Sequence, residues 1–197
     1  MGAILQSLGR TVIAGIVVLV VIIILAGVAT GHMVTPDMAW STFFMRWLHV
    51  LSGVMWIGLL WYFNFVQIPS MPKIPDEQKP AIGKVIAPAA LFWFRWAALA
   101  TVVTGLLLAT MNGYILRALS LQGGVYAIGI GMWLGLVMAF NVWFIIWPNQ
   151  QKALGMVTVG AEEKAAAARK AMLTSRLNTM LSIPMLYCMV AQQHGGL

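Results

Sequence analysis

Charge is scarce in this chain. Of its 197 residues 9% are charged, and five are acidic: Asp37, Asp76, Glu77, Glu162 and Glu163. None of these lies inside a long apolar run, so no acid is at hand within such a run to neutralise a base or complete a catalytic set. Cysteine is limited to Cys188, which excludes intrachain disulfides and the CxxCH motif of covalent haem attachment. Histidine occurs three times, as His32, His49 and His194. What fills the sequence instead is apolar: 61% of residues are hydrophobic and the mean hydropathy is +0.88. That is far from the balance of a soluble domain and marks an integral membrane protein. The net charge of +7 comes largely from basic residues grouped in two loops between apolar spans. They read as topology determinants facing anionic lipid, with no nucleic-acid partner expected.

Five apolar spans emerge, near 11–30, 43–66, 88–111, 125–147 and 174–193. Each is close to the ~20 residues that cross about 30 Å of hydrocarbon. The first, preceded by Arg10, is too long for the apolar part of a typical signal peptide. Its Val and Ile residues on every side suit a peripheral, lipid-facing anchor. The expected fold is all-α, an integral membrane domain over residues 1–197 with five transmembrane helices, the second to fifth forming a four-helix bundle. Pro69, Pro72, Pro75, Pro80 and Pro88 are expected to prevent a long regular helix between the second and third spans. The connector 148–173, rich in Ala, Lys and Glu, favours a helix outside the hydrocarbon. Lys73, Lys79, Lys84, Lys152, Lys164, Arg169 and Lys170 share one side of this layout, which places the N-terminus inside and the C-terminus outside.

The segment Arg46 to Phe65, RWLHVLSGVMWIGLLWYFNF, carries the most information, because it sets a histidine inside a span. An ionisable group there needs a partner. His49, Ser52, Gly53, Trp56 and Leu60 recur at helical spacing, so one face presents an imidazole, a hydroxyl, bare backbone and an indole. Two roles suit His49: axial ligand of a haem held against Gly53, or hydrogen-bond donor to a neighbouring helix. With the N-terminus inside, His49 is about 10 Å below the outer surface, and His194 stands at the outer end of the fifth span. The two could form a bis-histidine pair or jointly serve a metal if the second and fifth spans are neighbours; otherwise His194 belongs to a frayed terminus. His32 reads as a solvated loop residue.

Arg95, in FWFRWAAL, is the second intramembrane charge. It either pairs with a haem propionate, a lipid or a substrate anion, or snorkels to the inner interface. Arg46, one turn before His49, is a second propionate candidate, or an interfacial anchor beside Trp47. Asn141, Asn178 and Ser182 read as interhelical hydrogen-bonding groups, and AIGIGMWLG as helix-packing material. Pro184 is expected to kink the fifth span.

Three blocks in order carry a family resemblance: Arg46-Trp47-x-His49 followed by Gly53 and Trp56-Ile57-Gly58; Phe144 to Gln150, FIIWPNQ; and Ser175 to His194, SRLNTMLSIPMLYCMVAQQH. They resemble the N-terminal membrane domain of the bacterial membrane-bound urate oxidases, or urate hydroxylases, in a short form lacking the cytochrome c domain. The resemblance implies an all-helical membrane core that can contain haem, with His49 and His194 at the family's histidine positions, in a bacterial inner membrane. The family's terminal block often has His directly before its Asn, where this chain has Leu177, and its cytochrome c domain is not in this sequence. An electron acceptor of that kind is therefore expected to be another protein, and urate oxidation by this chain alone is not expected.

The expected function is a b-haem membrane electron-transfer protein, with His49 and His194 as ligands, Arg46 or Arg95 as counter-charge, and Gly53 and Trp56 against the cofactor. Its expected partners are the lipid bilayer and a separate cytochrome or larger membrane complex. One alternative is a haem-free accessory subunit of a respiratory or oxygenase complex, and another is a membrane oxidase of a purine or porphyrin-like substrate.

Overall fold

The computed structural model describes residues 2–196, and every regular element among them is helical. The chain falls into two compact units, one ending at Phe43 and one beginning at Phe44. The first unit holds a single turn of helix, Gly2–Leu5, and α1, Leu8–Thr30. Gly31 ends α1 in the left-handed region at φ 70°, a conformation that a Cβ would disfavour. Asp37 then starts the next helix, its carboxylate accepting from the Trp40 backbone N–H at 2.8 Å.

Four long helices run through the second unit. They are α2, Met38–Lys73, which begins in the first unit; α3, Lys79–Met111; α4, Tyr126–Ala153; and α5, Ala161–His194. Four helices among the described residues, α1 to α4, are long and apolar enough to cross a membrane. The fifth expected span differs. Residues 174–193 form the second half of a 34-residue helix, α5, which is not apolar enough by composition alone. Its first half carries Glu162, Glu163, Lys164, Arg169 and Lys170, and its second half turns Ser175, Asn178 and Ser182 into the protein interior. Most of the connector expected over 148–173 is helical: 148–153 complete α4, 161–173 begin α5, and the non-helical part is 154–160.

Proline shapes three of these helices in the same way. Each contains a widened π turn: Tyr62–Gln67 in α2, Ile82–Ile86 in α3 and Asn141–Ile146 in α4. Each turn ends two residues before a proline, Pro69, Pro88 or Pro148. A proline ring collides with the carbonyl four residues back and cannot donate to it. Widening the turn moves that carbonyl aside and keeps the helix going. The prolines between α2 and α3 thus leave 74–78 as the non-helical stretch. Pro184 is absorbed without a π turn, inside continuous α-helix.

The π turns also aim two asparagines at α5. Asn64 donates to Ser175 Oγ at 2.8 Å, and Asn141 donates to Asn178 Oδ1 at 2.8 Å. Asn178 in turn donates to the Met138 carbonyl at 2.9 Å, and Trp61 Nε1 donates to Ser182 Oγ at 3.0 Å. Ser175, Asn178 and Ser182 are buried, so α5 is joined to α2 and α4 along one polar stripe. The expected role of Asn141, Asn178 and Ser182 as interhelical glue is what these bonds perform. Around the stripe lies an apolar core from all four helices, including Trp56, Leu60, Phe94, Val142 and Met185. At its centre Phe63 and Phe94 meet edge to face at 5.6 Å. The glycines of AIGIGMWLG serve packing: a Cβ at Gly129 would collide with the Ala118 carbonyl oxygen, and one at Gly131 would lie 3.2 Å from Cys188 Cβ.

Replacing Asn178 with Leu removes two hydrogen bonds and leaves the buried Asn141 side-chain amide without its acceptor, while the Met138 carbonyl keeps only its bond from the Asn141 backbone N–H. The expected cost is about 1–3 kcal/mol, read as a lower unfolding midpoint in detergent. Leu177→Ala, at an exposed neighbouring position, is expected to leave the midpoint within about 0.5 kcal/mol.

Candidate functional site

Away from the polar stripe, toward the start of α2 and the end of α5, the second unit encloses a cavity of about 620 Å³. That volume falls within the range of small-molecule sites. His49, Arg46, Gly53 and Trp56 line it from α2, and His194 lines it from the end of α5. Five of the six candidate residues read from the sequence therefore share one cavity. Arg95 is not among its lining residues; it belongs to a different part of α3.

His49 is fixed by α3. Its Nδ1 lies 2.9 Å from the Thr101 carbonyl oxygen and 3.3 Å from Thr104 Oγ1. A carbonyl only accepts, so Nδ1 carries the proton and the Nε2 lone pair of the neutral ring is left free. Among the described residues Nε2 has no hydrogen-bond partner. Gly105 makes this approach possible: a Cβ there would stand 2.8 Å from His49 Cε1 and 3.1 Å from Nδ1. His49 thus fills the second of the roles open to it from the sequence, bonding a neighbouring helix through Nδ1, while Nε2 is left without a protein partner among the described residues.

Glycines shape the rest of the wall. A Cβ built at Gly58 or Gly135 meets nothing within 4 Å, and one at Gly53 meets a Thr101 methyl at 3.9 Å. All three line the cavity, so its width exists because these positions carry no side chain. Met132, Met185 and Met189 add polarizable apolar lining. Trp56, 1% exposed, has its Nε1 buried on this wall without an acceptor. That donor can be satisfied by an acceptor atom on a bound group.

The rim of the cavity is polar. Arg46 has no carboxylate partner among the described residues. Its charge acts on Tyr114, in the turn after α3, pulling down a phenol pKa that burial more strongly pushes above its ordinary value. Tyr114 therefore remains a neutral hydroxyl near neutral pH, able to donate to an anion. His194 is placed by the residues around it rather than frayed. Gln192 Nε2 donates to the Gly124 carbonyl at 2.9 Å, the Ile128 N–H donates to Gln192 Oε1 at 3.2 Å, and the Tyr187 hydroxyl donates to the Gly196 carbonyl at 2.7 Å. Among the described residues no three His, Cys, Asp or Glu side chains come together to hold a metal.

Thr101, Thr104, Gly105, Tyr114, Gly135 and Gln192 did not stand out in the sequence. The run TVVTG, placing two hydroxyls and a glycine at 101, 104 and 105 of an otherwise apolar span, was the available signal for the first three.

Comparison with known families finds a match to the C-terminal part of the chain. Residues 116–197 match the family described as urate oxidase N-terminal. The chain resembles that family through α4 and α5, a stretch that includes FIIWPNQ, the Ser175–Ser182 stripe and His194, while α2 with His49 lies outside the match. No curated protein and no solved structure matches the chain.

Gly105→Ala is expected to push the imbalance onto the His49 ring, since the neighbouring backbone cannot yield by the several tenths of an ångström required. In ¹⁵N NMR the wild-type His49 is expected to show the Nδ1–H neutral tautomer, and Gly105→Ala to lose that signature while the helical circular dichroism is unchanged.

Proposed function

We propose that this protein is a b-type haem-binding membrane protein that transfers electrons between a membrane donor and a separate redox partner. The observation that carries the proposal is His49: its Nδ1–H is bound by the Thr101 carbonyl and its Nε2 lone pair is free, on the wall of an apolar, glycine-lined cavity. A backbone acceptor on one ring nitrogen fixes the tautomer and orientation that ligation by the other requires. The residues fit the group in three further respects. Gly53, Gly58 and Gly135 leave room for a flat macrocycle, the Trp56 indole N–H lacks an acceptor, and Arg46 and Tyr114 offer donors for carboxylates at the rim.

In this reading His49 holds the iron, His194 is the second ligand or an outer-face partner, and Arg46 neutralises a propionate. Bound haem would supply one-electron chemistry, and the apolar lining would set its potential by excluding water. The cavity offers no carboxylate for general-base work, which favours electron transfer over turnover of urate by this chain alone. The basic residues at the end of α2, the start of α3 and the ends flanking 154–160 support a cytoplasmic location for that side, with His49 and His194 toward the periplasm of a bacterial inner membrane.

A dithionite-reduced minus oxidised spectrum of the detergent-purified protein is expected to show a b-type Soret and α band. Pyridine haemochrome quantification is expected to give about one haem per chain, one site per bundle. His49→Ala is expected to abolish the band, and a colourless wild-type preparation would overturn the proposal. Gly135→Leu, whose side chain would enter the cavity, is expected to lower haem content at least about tenfold without lowering the unfolding midpoint of the haem-free protein.

A further inference from the structure

Arg95 is unused by the cavity and lacks every ordinary partner. Among the described residues it forms no ion pair and no hydrogen bond, and its Nε and Nη1 are buried without an acceptor. Its guanidinium is stacked on Trp147, with Cζ 3.3 Å from the ring centroid, and lies 5.9 Å from the Trp143 ring. Trp143 Nε1 is also buried without an acceptor. Three donors therefore gather at one place between α3 and α4 with nothing to receive them, an arrangement whose complement is an oxyanion.

The position says what kind of oxyanion reaches it. Trp147 is the last apolar residue before Pro148-Asn149-Gln150-Gln151-Lys152, so the stacked guanidinium lies where an apolar span gives way to polar sequence. Tryptophan in such a place sits at headgroup level. Beside it Trp96 meets Trp143 edge to face at 5.5 Å, and Phe92 meets Trp96 at 6.3 Å. Phe92, Trp96, Phe140 and Phe144 are exposed, forming an aromatic face on which acyl chains can lie. The π turn of α4, forced by Pro148, includes Trp143 and so sets the direction of its N–H.

We propose that Arg95, Trp143 and Trp147 bind a phosphate group, that of a phospholipid headgroup, at a site separate from the cavity. The phosphate oxygens accept from Arg95 and from Trp143 Nε1, and Trp147 holds the guanidinium plane in place. Two arms test this on delipidated full-length protein in detergent: native mass spectrometry with added phosphatidylglycerol, and calorimetric titration with inorganic phosphate. Each is repeated on Arg95→Gln and Trp143→Phe, with circular dichroism melting confirming that both variants fold. The expected result is one retained phosphatidylglycerol per chain in the wild type, weakened at least about tenfold in Arg95→Gln and less in Trp143→Phe. Phosphate heat that is lost in both variants, without a lipid adduct, would support the same oxyanion site with a free anion as its source. Absence of both signals in the wild type, or signals unchanged in both variants, would overturn the proposal; should Arg95→Gln fail to fold, Trp143→Phe alone decides it.

Discussion

The polar stripe of α5 is the constraint on which the second unit depends. Helices in lipid gain nothing from hiding apolar surface from one another, because the tails around them are equally apolar. Ser175, Asn178 and Ser182 supply the directional bonds that apolar packing lacks, and their partners Asn64, Asn141 and Trp61 fix α2 and α4 in both position and rotation. The three partner side chains are buried or half-buried, so each unmade bond would leave a polar atom with no water to turn to. The same polar residues make α5 the least apolar of the long helices, which is why composition alone does not mark it as a span.

Proline and asparagine act together in this arrangement. A proline would ordinarily end a helix or bend it, yet in α2 and α4 the widened turn just before it contains the asparagine that reaches α5. The π turns lie at the end opposite the His49 cavity. Joining the helices there leaves the other end free to be shaped by glycines, so that a unit with a closely bonded stripe at one end encloses an open volume at the other. Arg95 and its two tryptophans belong with the bonded end, and His49, Arg46 and His194 with the open one.

Much of the cavity was legible on α2 because helical periodicity is a local property. His49, Gly53 and Trp56 share a face in the sequence and line one cavity in the structure. The partners of that face were not legible, since Thr101 and Gly105 are more than fifty residues away and nothing in their spacing states which helix they meet. Arg95 illustrates the reverse. Its isolation from acids was plain from the sequence, but its stacking on Trp147 depends on the register between α3 and α4. The end of α5 also resisted local reading: QQHGGL has the composition of a loose terminus, and contacts from Gly124, Ile128 and Tyr187 hold it instead.

The sequence by itself determined that the protein is helical and apolar, where the apolar stretches of its long helices lie, and which side chains on α2 face the same way. These follow from hydropathy, length and the helical repeat, which need only neighbouring residues. Tertiary structure alone decided that His49 keeps one nitrogen free, that His194 comes to the same cavity, that Arg95 stands apart from it, and that three prolines widen helices rather than end them. Each of these depends on how one helix is rotated and shifted against another. That choice is made by a few buried hydrogen bonds and by glycines at close crossings, between residues that are distant in the chain.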